Sequence, residues 1–316
     1  MNTPMKKAIV TFGVGYGYHQ IKHFVFSCAR HVPDADVYIY AGNNLLELQS
    51  RFVDYPRVKF LHYSENLIAK LVGKAAMKFP PLAKFYGSII ASLYRLHVLP
   101  AGAARILAAP LVQFMVKRFF ALHQLVNKLP HAQWMFTDLR DVLLQEDPFI
   151  NLDEVSIITG VEPVRIHECN MNRKWLSTTY SRKLYKSVRN EYVACAGVTL
   201  GSRKVIQQYL NEVSHDTLIN LPKIIGMLGA DQAIHIKLLY KGLKGVKKQL
   251  EANGRGSIAT LHYSTLHEFD RSMGRLANRS GKTLAVVHQY DRHPRLAQEL
   301  IASIEMEAPE FLAKAS

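Results

Sequence analysis

The sequence predicts an α/β fold with a mostly parallel central sheet flanked by helices. Short apolar runs rich in β-branched and aromatic residues recur along it, and helical stretches separate them. One such run, Gln133-Trp134-Met135-Phe136, passes straight into Thr137-Asp138-Leu139-Arg140-Asp141. Two carboxylates just past a buried strand lie where an open α/β sheet places its ligand crevice.

Each element has its own signal. Ala8 to Phe12 predicts a first strand, then a loop Gly13-Val14-Gly15-Tyr16-Gly17-Tyr18 and a helix through Phe24 and Phe26 to about Arg30. Asp36 to Ala41 predicts a second strand, Asn43 a cap for a helix toward Arg51, and Val58 to Leu61 a third strand. Beyond the acidic pair, Val155 to Val161 and Val193 to Gly201 are further strands, with a polar helix over Arg173 to Arg189 between them. Ser202 is placed to cap a helix over Arg203 to Asn211, and Gly229-Ala230-Asp231-Gln232 opens another through Leu239. Ile258 to Tyr263 and Thr283 to Tyr290 are expected to close the sheet, and Pro294 begins a C-terminal helix. With no repeat and no low-complexity linker, one catalytic domain over residues 1–316 is expected.

The 316 residues suffice for a real core, and the apolar content excludes disorder. Cys28, Cys169 and Cys195 are too few and scattered for a disulfide framework or a zinc site, so a reducing compartment is expected. The N-terminal apolar run is too short for a signal-peptide core. The net charge of +15 implies anionic partners. It is concentrated: Asn66 to Thr137 holds no Asp or Glu but carries Lys70, Lys74, Lys78, Lys84, Arg95, Arg105, Lys117, Arg118 and Lys128. Residues 66–128 are therefore expected to be a basic, amphipathic helical insertion, either touching an anionic membrane surface or packing on the core with a solvated lysine face. Arg95, Pro100, Arg105 and Pro110 break every stretch before the roughly 20 apolar residues a bilayer needs.

Two carboxylates suit a hard cation, Mg²⁺ or Mn²⁺, whose shell is completed by phosphate and water. Asp138, Arg140 and Asp141 also fit a turn former and a solvated charge cluster. The glycines of the first loop do not make G-x-G-x-x-G, but they let a ligand approach backbone, and Tyr16 or Tyr18 can stack on a base. A flexible surface turn explains the same residues.

Four segments in order sharpen this: Asp138 to Phe149, Cys195-Ala196-Gly197-Val198-Thr199-Leu200-Gly201, Asp231-Gln232-Ala233-Ile234-His235, and Val286-Val287-His288-Gln289-Tyr290-Asp291-Arg292-His293-Pro294. Together they resemble nucleotide-sugar-dependent glycosyltransferases of the GT-A fold, in particular a group with an Asp-x-Arg-Asp metal motif and a late His-Gln-Tyr-Asp-Arg-His-Pro motif. The resemblance covers most of the chain except residues 66 to about 115. It implies Mn²⁺ or Mg²⁺ held by Asp141, Asp138 and His288. Asp138 departs from the commoner Asp-x-Asp pattern, in which Leu139 holds the first aspartate's place. The donor, a nucleotide-diphosphate sugar, is expected against Thr11, Gly13, Tyr16, Arg118, Asp138, Arg140, Cys195, Ala196 and Gly197. Arg118 equally fits a surface ion pair. Asp231 and Gln232 are the expected catalytic pair, although Asp231 also fits a helix cap.

The expected reaction is metal-dependent transfer of a sugar to an acceptor glycan, lipid or protein, in the cytoplasm and peripherally at the inner face of a membrane. Nucleic acid is not an expected partner. The rivals are a non-catalytic membrane- or nucleic-acid-binding protein on the same fold and a metal phosphohydrolase using Asp138 and Asp141.

Overall fold

The computed structural model describes residues 6–65, 67–272 and 274–315, with Ser272 and residues 307–315 described by backbone alone. The N-terminal half runs β1 (Lys7–Phe12), α1 (Tyr18–His31), β2 (Ala35–Ala41), α2 (Leu45–Arg51), β3 (Val58–His62), α3 (Leu67–Lys78), α4 (Pro80–Arg95), α5 (Ala101–Ala108), α6 (Phe114–Lys128), β4 (Gln133–Thr137) and β5 (Val142–Leu144). There follow β6 (Ser156–Arg165), α7 (Asn170–Thr179), α8 (Arg182–Val188), β7 (Tyr192–Ser202), α9 (Arg203–Ile219), α10 (Leu221–Ile224), α11 (Ala230–Lys241) and β8 (Lys247–Ala252). The chain ends with β9 (Ile258–Thr260), β10 (Phe269–Ser272), β11 (Arg275–Asn278), β12 (Val286–His288) and α12 (Pro294–Ala315).

The main sheet has the order β3-β2-β1-β4-β7-β6-β8. β1, β2, β3 and β4 run parallel, whereas β7 runs against both β4 and β6. Every residue of β4 is buried, because helices cover both faces of the sheet there. α6, α9 and α11 pack on one face around Trp134, Tyr209 and Ile234, and α1 packs on the other around Ile9, Phe24 and Ile39. A second sheet, β5-β12-β9, sets His288 opposite both Val142 and Thr260.

Several sequence expectations are corrected. The polar stretch from Arg173 is two helices, because Ser181 caps a new one by accepting from the Leu184 N–H at 3.2 Å. Ser202 caps α9 as expected, but that helix runs on to Ile219. Asn44 rather than Asn43 precedes α2, and its amide Nδ2 donates to the Tyr16 carbonyl, pinning the first loop. The last two strands are shorter than expected, covering Ile258–Thr260 and Val286–His288. The basic insertion also divides: Phe119, Leu122 and Val126 make α6 part of the layer on the main sheet, while α3, α4 and α5 form a separate cluster with α10.

A candidate metal and diphosphate site

β1 and β4 are parallel neighbours, so Phe12 and Thr137 end at the same edge of the sheet. Asp138 is the first residue past β4, and its N–H donates to the Gly197 carbonyl at 2.8 Å. Asp141 follows one turn later, directly before β5. The partner strand β12 brings His288 alongside, and the Gln289 N–H donates to the Asp141 carbonyl at 2.6 Å. Gln289 takes a left-handed φ of 61°, which turns the chain sharply just after the histidine. One ligand atom from each of Asp138, Asp141 and His288 lies within 4.8 Å of the others.

Arg118, in the second turn of α6, is buried rather than on the surface. Its guanidinium donates to Asp138 Oδ1 at 2.6 Å and reaches Asp231 Oδ2 at 3.5 Å. Burial opposes charge on Asp138, but Arg118 and His288 outweigh it and hold the carboxyl well below the usual carboxylate range. For Asp141 burial, with Asp138 and Asp291 nearby, outweighs the pull of His288 and pushes the carboxyl up. Burial likewise raises Asp231 against the pull of Arg118. For His288 burial works downward, but Cys195, Asp138 and Asp141 outweigh it and raise the imidazole well above its usual range.

These residues fit a divalent cation. His288 Nε2 is buried and has no hydrogen-bond partner among the described residues; Asp138 Oδ2 lies 3.7 Å away, beyond hydrogen-bond range. Two carboxylates and one imidazole leave coordination positions open for phosphate and water, as Mn²⁺ or Mg²⁺ requires. Gly197 is part of the same construction, since a Cβ there would lie 2.2 Å from His288 Cε1 and 2.9 Å from Asp138 Oδ2.

Two clefts meet at Arg118, Asp138 and Met115. One, about 320 Å³, is walled by Phe12, Val14, Tyr16, Phe114 and the Asp138–Asp141 turn. Phe12 stacks on Tyr40 at 4.5 Å and meets the edge of Phe114 at 5.8 Å, making a rigid aromatic wall. Arg140 lies on its rim, paired with Asp291 at 3.0 Å. The other cleft, about 400 Å³, is bounded by Cys195, Ala196, Gly197, Asp231, Gln232 and a new set of residues: Glu162, Trp175, His262 and Tyr263. The His262 and Tyr263 rings stack at 4.0 Å.

Not every expected residue faces a cleft. Thr11 is fully buried inside β1, away from both. Gly13 makes room for a neighbour rather than a ligand, because a Cβ there would lie 2.8 Å from Leu139 Cδ2. Gln232 lines the larger cleft, but its amide is engaged: Oε1 accepts from the Ala196 N–H at 3.0 Å and Nε2 donates to the Ala194 carbonyl at 2.6 Å. These bonds position the β7 backbone and use one of the amide's two N–H donors and one lone pair of its oxygen. Asp231 follows the Gly229 cap in the first turn of α11, and its carboxylate is turned to Arg118.

Glu162 was not singled out by any motif. It sits on β6 beside the β7 segment that carries Cys195, and burial pushes its carboxyl up to about 7 against the opposing pull of His288. Only the pairing of β6 with β7 brings it to the cleft, and sequence spacing carries no trace of that. Among known proteins, no family model matches this chain and no curated sequence matches it.

Proposed function

We propose that the protein is a metal-dependent glycosyltransferase of GT-A type, taking a sugar from a nucleotide-diphosphate donor to an acceptor. The observation that carries this reading is the convergence of Asp138, Asp141 and a His288 nitrogen that has no hydrogen bond among the described residues, at the junction of two clefts. The largely parallel sheet with its site at the strand ends agrees with it.

In this reading the base lies against Phe12 and Tyr16, and the diphosphate spans the acidic pair. Mn²⁺ or Mg²⁺ held there supplies Lewis-acid stabilisation of the charge that develops on the leaving diphosphate. Arg118 fixes Asp138 in its ionised form and adds a preorganised positive charge beside the phosphates; Arg140 does the same from the rim. The sugar lies along Cys195, Ala196 and Gly197, where glycine permits close approach. Trp175, His262 and Tyr263 offer ring faces to the acceptor or the sugar. Asp231 and Glu162 are the carboxyls of that half, available to accept a hydroxyl hydrogen or to take its proton. The three cysteines are all free and buried, which supports a reducing, cytoplasmic setting.

Thermal shift against a panel of uridine and guanosine diphosphate sugars, with and without Mn²⁺, tests the reading. A ligand at 100 times its Kd adds about 2.7 kcal/mol to apparent stability. A shift that needs both nucleotide and Mn²⁺, and is lost in Asp141→Ala, is expected. Absence of any shift across the panel would overturn it.

A further inference from the structure

Helix α4 carries two apolar stripes. Ala83, Gly87, Ile90 and Ala91 face the body of the protein and are buried, and a Cβ at Gly87 would lie 2.8 Å from Ile225 Cδ1. Leu82, Phe85, Tyr86, Ile89, Leu93 and Leu96 recur at three- and four-residue steps on the other side and face outward. Leu82 is 66% exposed and Phe85 65%. The neighbouring helices repeat the arrangement: α3 buries Ala76 and exposes Leu67, Ile68 and Leu71, while α5 buries Ala104 and Ala108 and exposes Ile106 and Leu107. Apart from Ile90, the residues that pack inward are small, while many large apolar ones point out, the reverse of an ordinary surface helix. An exposed apolar face this extensive implies a contact outside the chain.

The charge on this face selects the contact. Lys70, Lys74, Lys78 and Lys84 are exposed among the apolar residues, and no acidic residue occurs between Asn66 and Thr137. A hydrophobic partner protein would need no such one-signed field, whereas an anionic lipid surface takes both parts: acyl chains receive the leucine and phenylalanine side chains, and headgroups pair with the lysines. Among the described residues no helix is long and apolar enough to cross a membrane, so the contact is with one face of the bilayer. The face also leads to the larger cleft. Met77 of α3 lies beside Gly226, where a Cβ would be 3.1 Å from its sulfur, and the exposed Leu228 two residues on lines that cleft.

We propose that α3, α4 and α5 form a monotopic docking surface for anionic membranes, one that sets the mouth of the larger cleft at the lipid headgroups. On the glycosyltransferase reading, this makes a membrane-held molecule the acceptor. The docking itself does not depend on that reading.

Co-sedimentation of the full chain with phosphatidylcholine vesicles, with and without phosphatidylglycerol, tests the docking. Binding to the anionic vesicles at low salt is expected, weakening as salt rises. Lys70→Glu combined with Lys74→Glu and Lys78→Glu, and separately Leu82→Ser with Phe85→Ser, are each expected to weaken binding by about tenfold or more. Both variants change exposed positions, so their Mn²⁺-dependent nucleotide thermal shift should equal that of the parent, which separates failure of docking from failure of the site. The proposal is overturned if the folded parent stays in the supernatant with anionic vesicles at low salt. It is equally overturned if neutral and anionic vesicles bind alike and the lysine reversals change nothing. Light scattering that shows a dimer which Leu82→Ser with Phe85→Ser disperses would assign the face to a second copy instead.

Discussion

Gly197 and His288 approach so closely that a single added carbon on the glycine would stand 2.2 Å from the imidazole Cε1. The contact joins the main sheet, through β7, to the small sheet that carries β12. Gly197→Ala is therefore expected to push His288 or β7 aside. Overpacking of this kind costs about 1–3 kcal/mol, and Mn²⁺ affinity should fall with it. Urea denaturation and calorimetric Mn²⁺ titration of the variant check both.

Asp141→Asn should separate binding from stability. Burial and the nearby Asp138 and Asp291 disfavour its charge in the metal-free protein, so removing that charge should leave the melting temperature unchanged or slightly higher. Loss of a ligand oxygen charge should weaken Mn²⁺ by at least about tenfold. A lower melting temperature in EDTA would contradict the assignment.

Arg118 pairs with both Asp138 and Asp231. Arg118→Met keeps the volume but leaves two buried carboxylates without their partner. Breaking a buried pair in this way costs about 3–5 kcal/mol. Chemical denaturation at neutral pH measures it, and the loss should shrink in acid, where the carboxylates are protonated.

Glu162 should give a slope of stability against pH. Its folded pKa, about 7, lies above its ordinary value of 4.5. Between those values the folded state holds a proton that the unfolded state has released, so stability is full below about 4.5 and declines as pH rises toward 7. The span corresponds to roughly 3 kcal/mol at most. Glu162→Gln should remove that part of the slope, measured by melting in EDTA from pH 4.5 to 7.5.

Much of the fold was legible because its strands are continuous apolar runs and its helices carry clear start signals. Val193 to Gly201 is visible as a strand for that reason, yet its direction is not, since an apolar run bears no polarity and only its pairing shows that β7 runs against β4 and β6. The acidic pair was legible from its position after β4, and His288 only by resemblance to a known pattern. Glu162, Trp175 and the His262–Tyr263 stack were not, because three separate chain segments supply them and they meet only through the tertiary fold. Thr11 and Gly13 were misjudged for a related reason: the end of a strand predicts nearness to the crevice, but which way each side chain points depends on register. In α4 the apolar periodicity was plain, but pattern alone cannot say that Ala83 and Gly87 face in while Leu82 and Phe85 face out.

The two acids and the histidine of the candidate site lie far apart in the order of synthesis. Asp138 and Asp141 are translated well before His288, which is seated by β5, the strand that directly follows the acids. A nascent chain thus holds the two carboxylates without their histidine until β12 has been made, and the arrival of that strand both joins the small sheet and brings the three side chains together.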